Sequence, residues 1–317
     1  MAKKTISYVF PIFNESGNID LLHKTMLKVI KPKAKTFNFE FIYVNDGSRD
    51  DSLEKLVTLH QKDDRVKVIN FSRNFGHQLA VTAGLDNAIG DAVIIMDSDM
   101  QDPPKVSIEL VEKWQEGYQV VYAQRRTRKD GVFKKFTADI FYRVLQRLAD
   151  ISIPRNTGDF RLIDRRVVDT MKNFPEHNRF LRGMVSYVGF KQTAVLFDRD
   201  ERHAGETGYP LKKMIKFAAD GILGFSTAPL KMITRLGTFF SILSLFGILY
   251  AIYMRIFQPD VTVTGWTFIV IAVLLIGGVQ MIMLGVLGSY IGRIYTEVQN
   301  RPLYIIDAIF HGKKEDK

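Results

Sequence analysis

Apolar positions in the first half of the chain fall in short continuous runs separated by segments of helical period. Residues 5–10, 39–44, 66–71 and 92–96 are β-branched and aromatic runs, each closed by a polar turn, and each is predicted as a strand. Between them Ile19, Leu22, Met26, Val29 and Ile30 fall on one helical face, with Asn18 placed as the N-cap. Leu53, Leu56, Val57 and His60 mark a second helix, and residues 78–89 a third. Strands alternating with helices build βαβ units and a mostly parallel sheet. Right-handed crossovers bring the carboxyl ends of such strands to one edge, where ligands bind.

Past residue 230 the pattern changes. Residues 236–253 and 266–291 carry no charge, and each run is long enough for a hydrocarbon core that needs about 20 residues. They are predicted as two transmembrane helices, joined by a short turn around Pro259 and Asp260. In the second, Gly278, Gly285 and Gly292 recur every seven residues with Gly288 between them. Such a small-residue stripe serves close packing, against the first span or in a homo-oligomer. The expected layout is an α/β domain over 1–205, an amphipathic juxtamembrane segment over 206–232, a helical hairpin over 233–292 and a tail over 293–317. Residues 129–149 mix apolar positions with Lys134, Lys135, Arg143 and Arg147, the pattern of a basic amphipathic helix that lies on anionic headgroups or on the protein surface.

Three predicted strand ends carry polar clusters: Asn14-Glu15, Asn45-Asp46-Gly47-Ser48 and Asp97-Ser98-Asp99. In extended backbone Asp97 and Asp99 project to the same side. Two carboxylates at one point suit a hard divalent cation, Mg²⁺ or Mn²⁺, bridging to substrate phosphates. A lone triplet of this kind is most often a solvated turn. Three clusters on one edge favour a nucleotide-plus-metal site. Neither a G-x-G-x-x-G after the first strand nor a G-x-x-x-x-G-K-[ST] occurs, which disfavours dinucleotide oxidoreductases and P-loop enzymes.

Charge narrows the partners. Lys and Arg number 44 against 34 Asp and Glu, a net charge of +10, which favours phosphorylated substrates, anionic membrane or nucleic acid. No nucleic-acid-binding module is present, so a membrane-tethered nucleic-acid binder is the weaker alternative. There is no cysteine, which excludes disulfides and thiolate metal sites. The first residues enter a strand pattern without an apolar h-region, which argues against a secretory signal.

The motifs Pro11-Ile12-Phe13-Asn14-Glu15, Val44-Asn45-Asp46-Gly47-Ser48-Arg49-Asp50 and Met96-Asp97-Ser98-Asp99-Met100-Gln101-Asp102-Pro103-Pro104 resemble the successive signatures of inverting GT-A glycosyltransferases of family 2. Arg73-Asn74-Phe75-Gly76-His77 with Gly84, Gly158-Asp159-Phe160-Arg161-Leu162 and the two spans resemble the polyprenyl-phosphate branch of that family. The resemblance implies a GT-A, Rossmann-like domain followed by interfacial helices and two spans. It also implies transfer of a hexose from a nucleotide sugar to a polyprenyl phosphate. Pro11, Phe13, Glu15, Asp46, Ser48, Gln101 and Arg125 would then line the nucleotide-sugar pocket, with Asp97 and Asp99 on the metal. Asp99 and Asp159 are the candidate catalytic carboxylates, Asp159 standing where the family places an acid that serves as a base or orients an arginine.

An anionic acceptor calls for cations, and Lys135, Arg161 and Arg202 are the candidates. Gly208 stands where relatives carry a lysine before Tyr209. A glycan acceptor is the alternative within enzymes, but neither Trp114 nor Trp266 lies in the Q-x-x-R-W motif of processive synthases. Basic residues flank both spans and only Arg255 lies between them, so both termini are expected in the cytoplasm.

Overall fold

The computed structural model describes residues 3–126, 154, 157–198, 226–257, 265–312 and 314–316. The basic helix over 129–149, the segment 199–225 with Arg202 and Gly208, and Lys135 lie outside the described residues.

The chain opens with β1 (Lys4–Ile12), α1 (Ile19–Ile30), β2 (Phe37–Asn45), α2 (Ser52–Lys62), β3 (Val66–Phe71), α3 (His77–Asn87) and β4 (Ala92–Ile95). These four strands pair in parallel in the order β4-β1-β2-β3. Asn18 precedes α1 but does not cap it: its side-chain amide donates to Glu15 Oε2 at 2.6 Å. After α4 (Val106–Gln115) come β5 (Val120–Arg125), β6 (Thr157–Asp164), α5 (Arg165–Lys172), α6 (Leu181–Tyr187) and β7 (Gln192–Phe197). Here the sheet becomes mixed: β6 inserts antiparallel between β4 and β5, while β7 runs parallel to β5.

Both faces of the central strands are buried, which accounts for their nearly continuous apolar runs. On one face Tyr8, Phe10, Phe41 and Tyr43 stack, with ring centroids 4.9 Å apart for Phe10 and Tyr43, and Leu22 and Met26 of α1 join that core. On the other, α3 packs so closely that a Cβ built at Gly84 would overlap the Val9 side chain.

Two helices, α7 (Ala228–Phe257) and α8 (Trp266–Gln299), form a separate unit with residues 222–301. Their windows Ala228–Gly247 and Leu275–Gln299 are long and apolar enough to cross a membrane. Among the described residues nothing lies within 4 Å of a Cβ built at Gly278, Gly285, Gly288 or Gly292. Among the described residues, then, the stripe makes no close contact.

Residues 293–317, expected as a tail, divide. The helix continues to Gln299, and β8 (Ile306–His311) returns to the α/β unit, antiparallel to β3, followed by β9 (Lys314–Asp316). Ser72 N donates to Ile305 O at 3.1 Å, and Tyr304 stacks on Phe71 with centroids 5.1 Å apart.

Candidate active site

Strand order decides where the chemistry gathers. Neighbours of β1 are reached by crossovers in opposite directions, β2 on one side and β4 on the other, so a crevice opens beyond its carboxyl end. Pro11 sits where β4 leaves β1, and its carbonyl accepts from Ser98 Oγ at 3.1 Å. The loops after β1 and β2 are sewn together. Asn14 N donates to Ser48 Oγ (3.0 Å), Arg49 N to Asn14 Oδ1 (2.8 Å) and Glu15 N to Ser52 Oγ (3.1 Å). Asn14 takes the left-handed conformation at φ 54°, which asparagine tolerates better than most residues. Phe13 is left 45% exposed at the mouth of the crevice.

Asp46 follows β2 and is buried, and its carboxylate grips the loop after β3. Phe75 N and Gly76 N donate to it at 2.6 and 2.9 Å, and Asn74 Nδ2 at 2.9 Å. Burial raises its pKa, while the two backbone amides pull the other way. The loop it holds delivers His77 and Gln78 to the site at the start of α3.

Asp97 and Asp99 follow β4. Gln101 N donates to Asp99 Oδ1 at 3.1 Å, and the turn between them places Met100 at φ 60°. A methionine there is strained by about 1–2 kcal/mol, the kind of cost that clusters at functional sites. Because β6 is antiparallel to β4 with Ile95 opposite Arg161, two further residues along each chain bring Asp97 and Asp159 to the same end. His77 bridges them, with Nε2 3.2 Å from Asp159 Oδ2 and 3.7 Å from Asp97 Oδ1. Gln78 Nε2 also donates to Asp159 Oδ2, at 3.1 Å, and Arg182 Nε of α6 donates to Oδ1, at 2.8 Å.

Electrostatics follows from this packing. Burial opposes the charge on Asp159, but Arg182 and His77 outweigh it and hold the carboxyl well below its usual range. Burial likewise works against charging His77, yet the Asp159 hydrogen bond and the Asp97 charge raise the imidazole to about 9. Asp97 is pushed up by burial and by the charges of Asp159 and Asp99, with His77 opposing. Among the described residues its buried Oδ1 makes no hydrogen bond, His77 Nε2 standing off at 3.7 Å. An acceptor-only oxygen in that negative field, beside a second carboxylate, fits a hard divalent cation. Among the described residues no three such side chains form a closed cage, so an ion held here would complete its shell from substrate or water.

Arg161 does not pair with Asp159. It is 4% exposed within β6, its Nη2 donates to Gly158 O at 2.8 Å, and burial lowers its pKa to about 10. The partner of Asp159 is Arg182, a residue that sequence reasoning passed over. Arg125 ends β5 opposite Phe197, and its Nη2 would lie 3.6 Å from a Cβ built at Gly158. His77 and Gln78 stand at the end of the third predicted strand, the one strand end not counted among the polar clusters.

Residues 7–171 match the family described as Glycosyl transferase family 2. The uncharacterized glycosyltransferase YkcC of Bacillus subtilis is 50% identical over 307 residues, 96% of this chain and 94% of that protein. The bactoprenol glucosyl transferase of Shigella phage SfII is 41% identical over 309 residues, 97% of this chain and 99% of that one. Among solved structures, glucosyl-3-phosphoglycerate synthase from Mycobacterium tuberculosis, in complex with Mn²⁺, UDP and phosphoglyceric acid, is 19% identical. It covers 69% of this chain and 76% of that one at a TM-score of 0.46, too distant to inform the site. On its near end-to-end relatives and its α/β sheet, the chain belongs to glycosyl transferase family 2, with the GT-A fold.

Proposed function

We propose that this glycosyltransferase moves glucose from a nucleoside diphosphate sugar to a polyprenyl phosphate at the cytoplasmic face of a membrane. The observation that carries the reading is the near end-to-end likeness to a bactoprenol glucosyl transferase. The acceptor's phosphate oxygen attacks the anomeric carbon, the bond from that carbon to the diphosphate breaks, and the configuration inverts. A phosphate monoester has its second pKa near 6, so this nucleophile is largely ionised at neutral pH and needs little help from a base. The harder task is to bring two anions together. His77 and Arg182 supply positive charge beside the crevice, and Asp159, engaged on both oxygens, fixes where they stand. The turns carrying Phe13, Asn14 and Ser48 receive the nucleotide, with Asp46 holding the loop that presents His77. Asp97 and Asp99 would hold Mg²⁺ or Mn²⁺, which when bound neutralises charge on a departing diphosphate.

Helices α7 and α8 anchor the chain as a hairpin. Lys231 and Arg235 lie at the start of the first, Arg293 and Arg301 at the end of the second, and only Arg255 near the turn. This charge bias supports cytoplasmic termini, on the side where nucleotide sugars are made.

The test is to incubate the purified full chain with undecaprenyl phosphate and a panel of labelled UDP- and GDP-sugars. Label from UDP-glucose should pass into the lipid phase. A chain that consumes donor without any lipid-linked product would sink the polyprenyl acceptor.

A further inference from the structure

Beyond the reacting groups, a polar chain runs from an exposed carboxylate on β8, Asp307, through two buried asparagines to the turn after β2. Asn45 and Asn70 are register partners on β2 and β3, 2% and 7% exposed. Asn45 Nδ2 donates to Asn70 Oδ1 at 2.7 Å, and Asn70 Nδ2 donates to Asp307 Oδ2 of β8 at 3.0 Å. At the other end Asn45 Oδ1 accepts from Ser48 N at 3.4 Å, and Ser48 Oγ accepts from Asn14 N at 3.0 Å.

The direction of this chain is set at its two ends, by the Asp307 carboxylate and by the Ser48 N–H. An asparagine amide can donate from one end and accept at the other, so two in a row could run either way. A carboxylate only accepts. Asp307 therefore obliges Asn70 to present its NH₂, which turns the Asn70 carbonyl toward Asn45. Asn45 must then present its own NH₂ to Asn70, which leaves its carbonyl facing Ser48 N. Reversed, Asn45 would confront the Ser48 amide with a second donor, and that N–H would lose its partner.

We propose that Asp307 is a positioning residue for the donor pocket: by polarising the Asn70–Asn45 relay it holds the 45–49 turn and Asn14 in the geometry that receives the nucleotide. This rests on the assignment of that turn to the nucleotide under the function proposed above. The Tyr304–Phe71 stack, the Tyr304 hydroxyl on Asp86 Oδ2 at 2.9 Å and the β8 ladder dock the strand independently of Asp307. Removing the carboxylate therefore leaves β8 in place.

The experiment compares Asp307→Ala and Asp307→Asn in the full chain, by hydrogen exchange over residues 14 and 45–49, UDP binding, and the split between KM and kcat for UDP-glucose. Asp307→Ala should speed exchange at those amides and raise Kd and KM about fivefold, the loss of one hydrogen bond, with kcat and Tm nearly unchanged. Asp307→Asn still offers an acceptor oxygen and should recover most of that loss. Unchanged exchange and KM in Asp307→Ala would overturn the proposal. So would a fall in Tm and kcat together that the asparagine does not repair, since that marks a merely structural residue. Faster exchange in a protein whose wild type binds neither UDP nor GDP would uphold the relay and remove the nucleotide assignment instead.

Discussion

Arg182 Nε lies 2.8 Å from Asp159 Oδ1, an ion pair between the first turn of a short helix and the second-last residue before Arg161 in β6. His77 and Gln78 occupy the other oxygen. A carboxylate bound on both sides and held well below its usual range is a poor proton acceptor and a good anchor for cations.

Asp159→Asn is therefore expected to cut turnover by about 10²–10³, the scale for losing a preorganised electrostatic contact, with donor KM nearly normal. Because the wild-type carboxyl is ionised at pH 6 and at pH 8 alike, raising pH across that range should rescue little. Steady-state kinetics with a polyprenyl phosphate acceptor checks both. Large rescue at pH 8 would make Asp159 a true base, and near-normal turnover would remove it from catalysis.

Metal dependence should be read twice, by activity and by binding. Asp97→Asn and Asp99→Asn are each expected to lower transfer by about a hundredfold or more, since several kcal/mol of charge stabilisation are lost. Each should also weaken Mn²⁺ binding measured by electron paramagnetic resonance. Full wild-type activity in EDTA would contradict the assignment.

Gly47 adopts φ +64°, and a Cβ there would run into the backbone of Arg73 and Asn74. Gly47→Ala should cost about 1–3 kcal/mol and loosen the grip of Asp46 on the loop before His77. Gly117 has φ +96° but nothing within 4 Å, so Gly117→Ala should cost less. Thermal melts of the two variants decide, and equal losses would mean that the close approach matters little.

Acid should weaken the fold in two stages. His23 is buried against Tyr43 and Asp63, and burial, only partly offset by Asp63, lowers its pKa below 6.5. As pH falls through about 6.5 the unfolded chain takes up a proton that the folded one refuses, and stability is lost. Burial works to raise Asp63, but Arg65 bonds to it and holds it low. Its contribution, present above the usual carboxylate range, disappears as pH falls through the folded value. His23→Gln should abolish the first stage and keep the second, as followed by denaturant unfolding at stepped pH. An unchanged profile would refute the account.

Reporters fused after Lys317 and within the turn near Pro259 should read opposite sides of the membrane, the first cytoplasmic. An external readout from the first would reverse the proposed orientation.

Local pattern carried the reading of the sequence a long way. Continuous β-branched and aromatic runs placed β1 to β4, and period-3.6 signals the helices between them, within a few residues, because both patterns report which parts of a segment are buried. The donor-side turns and the Asp97–Asp99 pair were legible for the same reason: polar clusters at the ends of apolar strands. The partners of Asp159 were not. Its nearest arginine in sequence is Arg161, on the same face of β6, yet that side chain is buried with its Nη2 on Gly158 O. Arg182 arrives from an element 23 residues on, a distance over which no periodicity speaks. Strand β8 escaped as well, since Ile306–His311 is six residues of mixed exposure and only its pairing with β3 makes it a strand.

That last strand has a bearing on how the protein is made. Until Ile306–His311 leaves the ribosome, β3 has an open edge along Val-Lys-Val-Ile-Asn-Phe, an apolar template of the sort that recruits other chains. Synthesis runs through both long helices before the cover arrives. The edge of β3 is thus covered by residues that follow both long helices in the chain. A chain stopped at Arg301 should carry its reactive motifs intact yet aggregate and turn over faster in pulse–chase, so that translation past both helices is itself a condition for survival.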